Sequence, residues 1–401
     1  MDMVGLIDST LREGLQGVGV ELSLDRQVAV AAGSVALGLE ELEVGPVGLA
    51  AATMEPGDYL ARLIPRLRHE AGVRRLALWC RCLPDDIERS LALNPDVLAL
   101  SIPASHRQMT SKLGKTAAEV RTLAAAALEL ARGRVPYLAL GLEDVTRAEP
   151  NFVRQMAVLA VDHGVDRLRL ADTVGISAPD EIADLVGRVR EYLREAGGDG
   201  RGNQVAIGVH THNDFGLAGA NAIAALAAGA DWADVSLLGL GERAGLARLE
   251  EVATYLALRR GHHYRLERLP ELAQQLAGFC GREIPSWRPV VGRDVFSCET
   301  GLHLAAIQLD PASYEPFAPE LVGQRRTLLY GVKAGHRAIA RQWRRWQEGS
   351  GQGRKAPVAA GKNRAIQGAP AGLLAKVRQT ARELRRPLTC EELQRVFLSY
   401  G

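Results

Sequence analysis

Short apolar runs and segments of helical periodicity alternate along the first 245 residues of the chain. The apolar runs are rich in Val, Ile and Leu, which is typical of parallel strands that are buried on both faces. The pattern predicts eight strands: Val4–Asp8, Leu39–Val44, Arg75–Cys80, Val97–Ile102, Tyr137–Leu142, Arg167–Ala171, Val205–Val209 and Trp232–Leu238.

Helix-like segments lie between these predicted strands. They include Leu24–Leu37, Ala117–Ala131, Glu149–His163, Ala178–Ala196 and Gly216–Ala228, and Leu246–Arg260 is predicted to be the last helix of the series. Eight parallel strands within about 250 residues, with helices between them, favour a (β/α)8 TIM barrel. The alternation alone leaves an open doubly wound sheet as the alternative.

The regular alternation ends after Arg243, and the chain then changes character. Residues 1–260 are the predicted barrel, and residues 261–346 mix helical and irregular pieces in a C-terminal subdomain. Residues 347–372 are rich in Gly, Ala, Gln and Lys, which predicts a flexible linker. Residues 373–401 carry apolar residues at helical spacing and predict a small helical unit, with Thr389 as the N-cap of its last helix.

Composition and charge exclude several classes of partner. The chain of 401 residues has 49 Lys and Arg against 47 Asp and Glu, and this balance argues against a nucleic-acid partner. Five cysteines make no disulfide framework, which fits a reducing compartment. The first residues carry no signal pattern, and no apolar run is long enough to span a membrane. We therefore expect a cytoplasmic protein with no membrane partner.

Polar residues follow several of the predicted strands at the point where each ends. In a TIM barrel the active site forms at that rim. His210 and His212 are the most informative pair, because side chains two apart on a strand point to the same face and can bind one ion. A carboxylate commonly completes such a set of imidazole ligands. Glu13 follows the first strand, next to the last strands around the ring, so a site of two histidines and one carboxylate is geometrically possible.

Two further motifs are interpreted as structural. Cys80 and Cys82 have no second Cys pair and no nearby His that would complete a tetrahedral zinc site. The glycine-rich segment 239–245 lacks the Lys-Ser/Thr of a phosphate-binding P-loop, so we interpret it as a tight turn with an ion pair between Glu242 and Arg243. The sequence also lacks a Gly-x-Ser-x-Gly elbow and kinase motifs, which argues against a hydrolase or a phosphotransferase.

Three motifs in this order resemble the signatures of the metal-dependent barrels that condense acyl-CoA thioesters. They are Asp8-Ser-Thr-Leu-Arg-Glu-Gly14, His210-Thr-His-Asn-Asp-Phe-Gly-Leu-Ala218 and Gly239-Leu-Gly-Glu-Arg-Ala-Gly245. That family includes homocitrate, isopropylmalate and citramalate synthases and the related lyases and carboxyltransferases. The resemblance extends beyond the barrel, through Ile284-Pro-Ser-Trp287, Glu299-Thr-Gly-Leu-His303 and Pro311-Ala-Ser-Tyr314, and covers nearly the whole chain. Within the family, Leu140-Gly-Leu-Glu-Asp144 and Ala171-Asp-Thr-Val-Gly175 look most like the nitrogen-fixation type of homocitrate synthase.

The resemblance implies an acyltransferase that carries out a Claisen condensation between acetyl-CoA and a 2-oxo acid. It implies 2-oxoglutarate as the acceptor, homocitrate and CoA as products, and a divalent metal, Mn, Mg or Zn, that acts as a Lewis acid. By motif position, the metal ligands would be Glu13, His210 and His212.

The same resemblance implies roles for other residues. Arg12 would stabilise a developing oxyanion, and Thr173 would bind the substrate carboxylate. Gln16 and Glu43 would line the pocket for the 2-oxo acid. The cation that would receive a second carboxylate of the acceptor is assigned to Arg81, at the end of the third strand.

Proton transfer is assigned by the resemblance to Glu143, His303 and Tyr314. In relatives, the segment that carries the last two of these residues enters the barrel of a partner subunit. The resemblance therefore implies an intertwined homodimer.

Three positions depart from the family pattern. Leu246 replaces an Asn that supplies a further oxygen at the metal, and a leucine cannot coordinate. Cys298 and Lys333 replace the histidines of two other family motifs. Two alternatives therefore stay open: an enzyme that uses pyruvate, oxaloacetate or a branched 2-oxo acid, and a non-catalytic paralogue that binds a 2-oxo acid or CoA as a regulator.

Overall fold

A computed structural model describes residues 5–47, 56–198, 200–349 and 369–399 of the chain. The chain divides into two compact units, residues 1–284 and residues 285–401. Within the described residues, no helix has both the length and the apolar character that a membrane crossing requires. Most of the predicted linker, residues 350–368, lies outside the described residues.

The first unit is built around a closed barrel of eight parallel strands, so the prediction of a TIM barrel is confirmed. Pairing of β1 with β8 closes the ring, with Gly5 opposite Trp232 and Asp8 opposite Val235, and this excludes the open doubly wound sheet. The strands are β1 Gly5–Asp8, β2 Glu41–Val44, β3 Leu76–Arg81, β4 Val97–Pro103, β5 Tyr137–Glu143, β6 Arg167–Asp172, β7 Ala206–Thr211 and β8 Trp232–Val235.

Helices between the strands surround the barrel. They are α1 Leu24–Leu37, α2 Pro56–His69, α3 Pro84–Ala92, α4 His106–Gln108, α5 Ala117–Ala131, α6 Pro150–Asp162, α7 Pro179–Ala196, α8 Ala218–Ala227, α9 Leu249–Arg260 and α10 Leu269–Phe279. Local capping explains several boundaries. Ser23 accepts a hydrogen bond from the backbone N–H of Arg26 at the start of α1, and Gly38 ends that helix in the left-handed conformation that glycine adopts readily.

The helix α10 extends the first unit beyond residue 260, where the sequence placed the end of the barrel domain. It packs against α1 at Gly33, where an added Cβ would lie 2.2 Å from Cδ1 of Leu272. A side chain at this position would force the end of the Leu272 side chain to move, so the glycine favours the close packing of the two helices. The first unit therefore continues to Ile284.

In the described part of the second unit, four α-helices contribute to a shared hydrophobic core. These are α11 Gly301–Ile307, α12 His336–Gly349, α13 Leu373–Leu384 and α14 Cys390–Leu398, with the short parallel strands β9 Ser297–Cys298 and β10 Thr327–Leu328. Tyr330, Trp343 and Phe397 lie in this core, so the last two helices pack with the segment that precedes the predicted linker. The hydroxyl of Thr389 accepts from the backbone N–H of Glu392, which confirms Thr389 as the N-cap of α14.

Charged side chains form ion pairs inside the barrel, between β2 and β6. Glu41 binds Arg167, with 2.6 Å between Oε1 and Nη2, and two residues further along both strands Glu43 binds Arg169, with 2.6 Å between Oε1 and Nη1. All four residues are buried. A buried charge is costly unless it is paired, so these acidic and basic residues depend on each other.

Candidate functional site

The loop after β1 brings two charged residues to the rim of the barrel. Asp8 is fully buried and accepts hydrogen bonds from the backbone N–H of Thr10 at 2.9 Å and from the hydroxyl of Ser34 at 2.5 Å. Thr10 in turn accepts from the backbone N–H of Leu237 at 2.8 Å, which ties the loop to the segment after β8. These bonds fix the conformation that places Arg12 and Glu13 inside the rim, where both are buried.

The three predicted metal ligands lie together at this rim. Glu13, His210 and His212 each offer one ligand atom, and these atoms all lie within 4.8 Å of one another. The two Nε2 atoms of the histidines are 3.3 Å apart, and Oε2 of Glu13 lies 4.0 Å from Nε2 of His210. Among the residues that the structure describes, this is the one group of His, Cys, Asp and Glu that could hold an ion.

Both imidazoles of the cluster are held in the neutral form that binds metals. Burial, followed by the positive charge of Arg12, lowers the pKa of His210 to about 3. Burial, followed by the neighbouring His210, lowers the pKa of His212 to about 3. Burial opposes the ionisation of Glu13, but the Arg12 guanidinium and the other groups around the carboxylate together outweigh it, so the pKa of Glu13 is lowered. At neutral pH the cluster thus offers two neutral imidazoles and one carboxylate, a suitable set for a divalent cation.

A second carboxylate orients the first histidine. Asp234, on β8, lies 2.6 Å from Nδ1 of His210, which leaves Nε2 to face Glu13 and His212. Histidines that bind metals commonly donate their other ring N–H to a carboxylate in this way. Asp234 is also ion-paired with Arg169.

The polar contacts around the site form a nearly closed ring. Arg12 is ion-paired with Glu13, and its Nε donates to Glu43 at 2.8 Å. Glu43 also accepts from Arg169, which reaches Asp234 and through it His210. The remaining gap, between His210 and Glu13, is where the candidate ligand atoms converge.

The charges of this ring favour a bound cation. Two guanidinium groups, on Arg12 and Arg169, face three carboxylates, on Glu13, Glu43 and Asp234, which gives a formal charge of −1 with both histidines neutral. Burial raises the pKa of Asp234, and the positive charge of Arg169 opposes this rise. A net negative formal charge beside the ligand atoms attracts a cation. The residues present therefore fit the metal that the resemblance implies.

The glycine-rich segment 239–245 closes the rim beside Glu13. An added Cβ on Gly245 would lie 1.8 Å from the carbonyl oxygen of Gly239, so the turn has no room for a side chain there. Arg243 pairs mainly with Asp214, at 2.9 Å, and lies 3.9 Å from the predicted partner Glu242. Leu246 is buried and forms an isolated antiparallel bridge with His212, so the position where the resemblance implies an Asn adjoins the ligand cluster.

Two predicted residues lie at the ends of β5 and β6. Glu143 accepts from the hydroxyl of Ser101 at 2.9 Å and is ion-paired with Lys112 at 2.5 Å. Lys112 belongs to a π-helical turn, Met109–Leu113, an irregularity that is frequent at functional sites. The hydroxyl of Thr173 accepts from the backbone N–H of Asp144 at 2.8 Å.

Other predicted residues have different surroundings. Arg81 forms an ion pair with Asp86 in the first turn of α3, at 2.7 Å. Gln16 is half-buried in a short 3-10 turn, Gly14–Gln16. Cys80 and Cys82 are buried free thiols, and burial raises the pKa of Cys80 to about 12, which fits a structural role.

His303 and Tyr314 belong to the second unit. Both are exposed there, and their ring centroids lie 4.1 Å apart. The structure thus brings together this pair in the second unit, and the Arg12, Glu13, Glu43, His210 and His212 group in the first.

Sequence reasoning missed Arg169 and Asp234, the two residues that complete the ring. A signal was present: β2 reads Glu-Leu-Glu-Val and β6 reads Arg-Leu-Arg-Leu, so charged residues recur at every second position of otherwise apolar strands. Side chains two apart share a face, and opposite charges on two such strands indicate a common interior.

Comparison with known families covers both units. Residues 3–276 match the sequence model of the HMGL-like family, and residues 290–348 match that of the homocitrate synthase post-HMGL domain-like family.

Relatives that are named for several different activities align over most of the chain. The chain is 34% identical to homocitrate synthase 1 of Nostoc sp., over 85% of this chain and 86% of the relative. It is 36% identical to the homocitrate synthase of Frankia alni, over 83% of this chain and 90% of the relative. It is also 31% identical to 2-isopropylmalate synthase 2 of Caldanaerobacter subterraneus, over 98% of this chain and 95% of the relative.

Solved structures share the barrel. Hydroxymethylglutaryl-CoA lyase from Pseudomonas aeruginosa aligns with a TM-score of 0.59 at 21% identity, over 70% of this chain and 94% of that one. At this level of identity the likeness concerns the fold alone.

Proposed function

The chain belongs to the HMGL-like family, and from this membership we propose that it is an acyltransferase that condenses acetyl-CoA with 2-oxoglutarate to give homocitrate and CoA. The observation that carries the proposal is the convergence of Glu13, His210 and His212 beside the Arg12 guanidinium. A divalent metal at these ligands would supply Lewis-acid polarisation of the acceptor's keto group. We propose Mn, Mg or Zn for this role, and the cytoplasm as the location.

Arg12 is suited to stabilise negative charge on a reacting oxygen. In the part of the chain that the structure describes, its hydrogen bonds use Nε and Nη1, which leaves Nη2 for a ligand oxygen. A guanidinium stays protonated at any physiological pH, so Arg12 stabilises charge and does not accept the proton. Glu43 and Glu13 hold its plane in position from two sides.

Acceptor binding is proposed for residues that lie in, or follow, four different strands of the barrel. A hydroxyl can accept and donate at once, so Thr173 can donate to a substrate carboxylate while it accepts from the backbone of Asp144. Gln16 and Glu43 would line the acceptor pocket, and Arg81 would receive the second carboxylate after exchanging its bond to Asp86.

The reaction requires that a methyl proton of acetyl-CoA is removed, that the resulting enolate carbon attacks the keto carbon, and that water then cleaves the thioester. We propose that His303, with Tyr314 and Glu143, transfers these protons, because an imidazole can both accept and donate a proton through its ring nitrogens. In this proposal, His303 and Tyr314 serve the barrel of a partner subunit, which makes the enzyme an intertwined homodimer.

One observation favours a second candidate function. Arg81, the cation proposed for the distal carboxylate of 2-oxoglutarate, is already bound by Asp86 through two hydrogen bonds of 2.7 and 3.2 Å. If that ion pair persists, acceptors without a second carboxylate, such as pyruvate or a branched 2-oxo acid, fit the rim better. The 2-isopropylmalate synthase among the relatives is consistent with this alternative.

The test is the release of CoA thiol from acetyl-CoA with a panel of acceptors, after chelation and after addition of Mn, Mg or Zn. We expect metal-dependent release with 2-oxoglutarate and identification of homocitrate in the product. Release only with pyruvate or 2-oxoisovalerate would establish the second candidate. No acceptor-dependent release with any metal would refute both.

A further inference from the structure

Arg169 lies inside the barrel at the centre of the contacts around the candidate site. It projects from the middle of β6 and is 5% exposed. Its Nη1 donates to Oε1 of Glu43 at 2.6 Å, and its Nη2 is ion-paired with Oδ2 of Asp234. One guanidinium thus joins carboxylates from β2 and β8, the two strands that flank β1.

Each of these carboxylates has a second partner that belongs to the site. The other oxygen of Glu43 accepts from Nε of Arg12 at 2.8 Å, and Asp234 lies 2.6 Å from Nδ1 of His210. The chain of contacts therefore runs from Arg12 through Glu43, Arg169 and Asp234 to His210. It connects the guanidinium proposed to stabilise the oxyanion with a proposed metal ligand.

We propose that Arg169 is a positioning residue that fixes the oxyanion-binding guanidinium and the first histidine of the metal site relative to each other. The expected effect on catalysis rests on the proposed function, whereas the expected effect on metal binding rests on the metal site alone. A planar guanidinium can hold two carboxylates at a fixed separation, whereas the single ammonium of lysine cannot reproduce this fork. A lysine at position 169 would therefore keep the positive charge but would no longer orient the two carboxylates.

Arg167 provides a matched control on the same strand. It is two residues away, is 1% exposed, and pairs with a single carboxylate, Glu41, through contacts of 2.6 and 3.2 Å. Its guanidinium also faces the rings of Tyr137 and Trp232, at 5.3 and 5.0 Å. It therefore reproduces the burial and the ion pairing of Arg169 without contacting Glu43 or Asp234.

The experiment compares full-length Arg169→Lys and Arg167→Lys with the wild type. Each protein is stripped with a chelator and titrated with Mn²⁺, and thermal unfolding and the kinetics of CoA release are measured on the same preparations. We expect both substitutions to lower the melting temperature. Only Arg169→Lys should weaken Mn²⁺ binding, by about 10- to 100-fold as for other residues that orient metal ligands. Arg169→Lys should also lower kcat by a larger factor than the factor by which it changes KM, because Arg12 loses its orientation.

Two results would overturn the inference. If Arg169→Lys binds Mn²⁺ with an affinity within twofold of the wild type, Arg169 has no positioning role. If Arg167→Lys loses as much Mn²⁺ affinity as Arg169→Lys, the loss reflects general destabilisation of the barrel. Wild-type protein that binds Mn²⁺ but releases no CoA would refute the proposed function, while the Mn²⁺ comparison would still decide the inference.

A double variant covers the case in which Arg169→Lys does not fold. Combining Arg169→Met with Asp234→Asn removes one charge of each sign and keeps an oxygen that can accept from Nδ1 of His210. Because Asp234 itself contacts His210, the double variant is compared with Asp234→Asn alone, and a weaker Mn²⁺ affinity of the double variant would report the orientation that is lost with Arg169. An unchanged affinity would contradict the inference.

Discussion

Leu246 shows how one residue at the rim can change the properties of a metal site. It pairs with His212 through a backbone bridge and is 1% exposed, at the position where the resemblance implies an Asn that supplies an oxygen ligand. The cluster formed by Glu13, His210 and His212 therefore has one protein ligand fewer than the family pattern. The remaining carboxylate and imidazoles still converge, and the buried charge of the surrounding ring still favours a cation.

We expect Leu246→Asn to tighten Mn²⁺ binding several-fold, because the amide oxygen adds a ligand next to His212. Burial of an amide in place of a leucine should also destabilise the fold by about 2–5 kcal/mol. Titration with Mn²⁺ of protein that has been stripped of metal by a chelator measures the affinity, and thermal unfolding measures the stability. Leu256→Asn, at a buried position of α9, is the control for destabilisation alone. Equal Mn²⁺ affinity in wild type and Leu246→Asn would show that the asparagine position does not reach the metal.

At the scale of elements, a helix begins where the sequence predicts it when a local capping motif sets its start. Where the sequence has no such motif, tertiary contacts can shift the start. The last barrel helix starts at Leu249 rather than at the predicted Leu246, because Leu246 is used in the bridge to His212. By contrast, α14 begins where its capping residues place it. Glu392 completes that cap by accepting from the backbone N–H of Thr389 at 3.0 Å, and it also pairs with Arg386 at 2.6 Å.

The cap of α14 predicts a pH dependence of stability. Hydrogen bonds from Arg386 and from the Thr389 backbone lower the pKa of Glu392 from 4.5 to about 2. A carboxylate with a lowered pKa in the folded state stabilises the protein fully above about pH 4.5, and this contribution is lost as the pH falls towards 2. Glu392→Gln should therefore melt at a lower temperature than wild type at pH 7, and the two curves should converge near pH 2.

The neighbouring Glu391→Gln is the control, since Glu391 lies in the same first turn without capping it. Melting temperatures of all three proteins would be recorded from pH 7 to pH 2. A difference between Glu392→Gln and wild type that is independent of pH would refute the assignment.

At the scale of the whole molecule, the proposed chemistry draws on both compact units. The metal ligands belong to the barrel, and the His303 and Tyr314 pair belongs to the second unit. The proposed intertwined dimer assigns the second unit of one subunit to the barrel of the other. This arrangement predicts that two different inactive variants can complement each other.

We expect His212→Ala and His303→Ala each to be inactive alone. After unfolding and refolding as an equal mixture, half of the dimers carry one intact site, and about a quarter of the wild-type activity should return. CoA release by the mixture measures this, and each variant refolded alone is the control. If His303 serves its own subunit, the mixture stays inactive because each chain then carries a defect in its only site.

The sequence by itself determined the features that depend on neighbouring residues. Apolar runs and helical spacing predicted eight strands and a barrel, and the spacing of His210 and His212 predicted a pair on one face, because side chains two apart on a strand point the same way. The family motifs added Glu13, and the structure brings it to that pair. Only the tertiary structure decided that Arg169 and Asp234 link the metal site to Arg12. These contacts join β1, β2, β6, β7 and β8, and they exist because closure of the barrel turns residues far apart in the chain towards one interior, which no local pattern specifies.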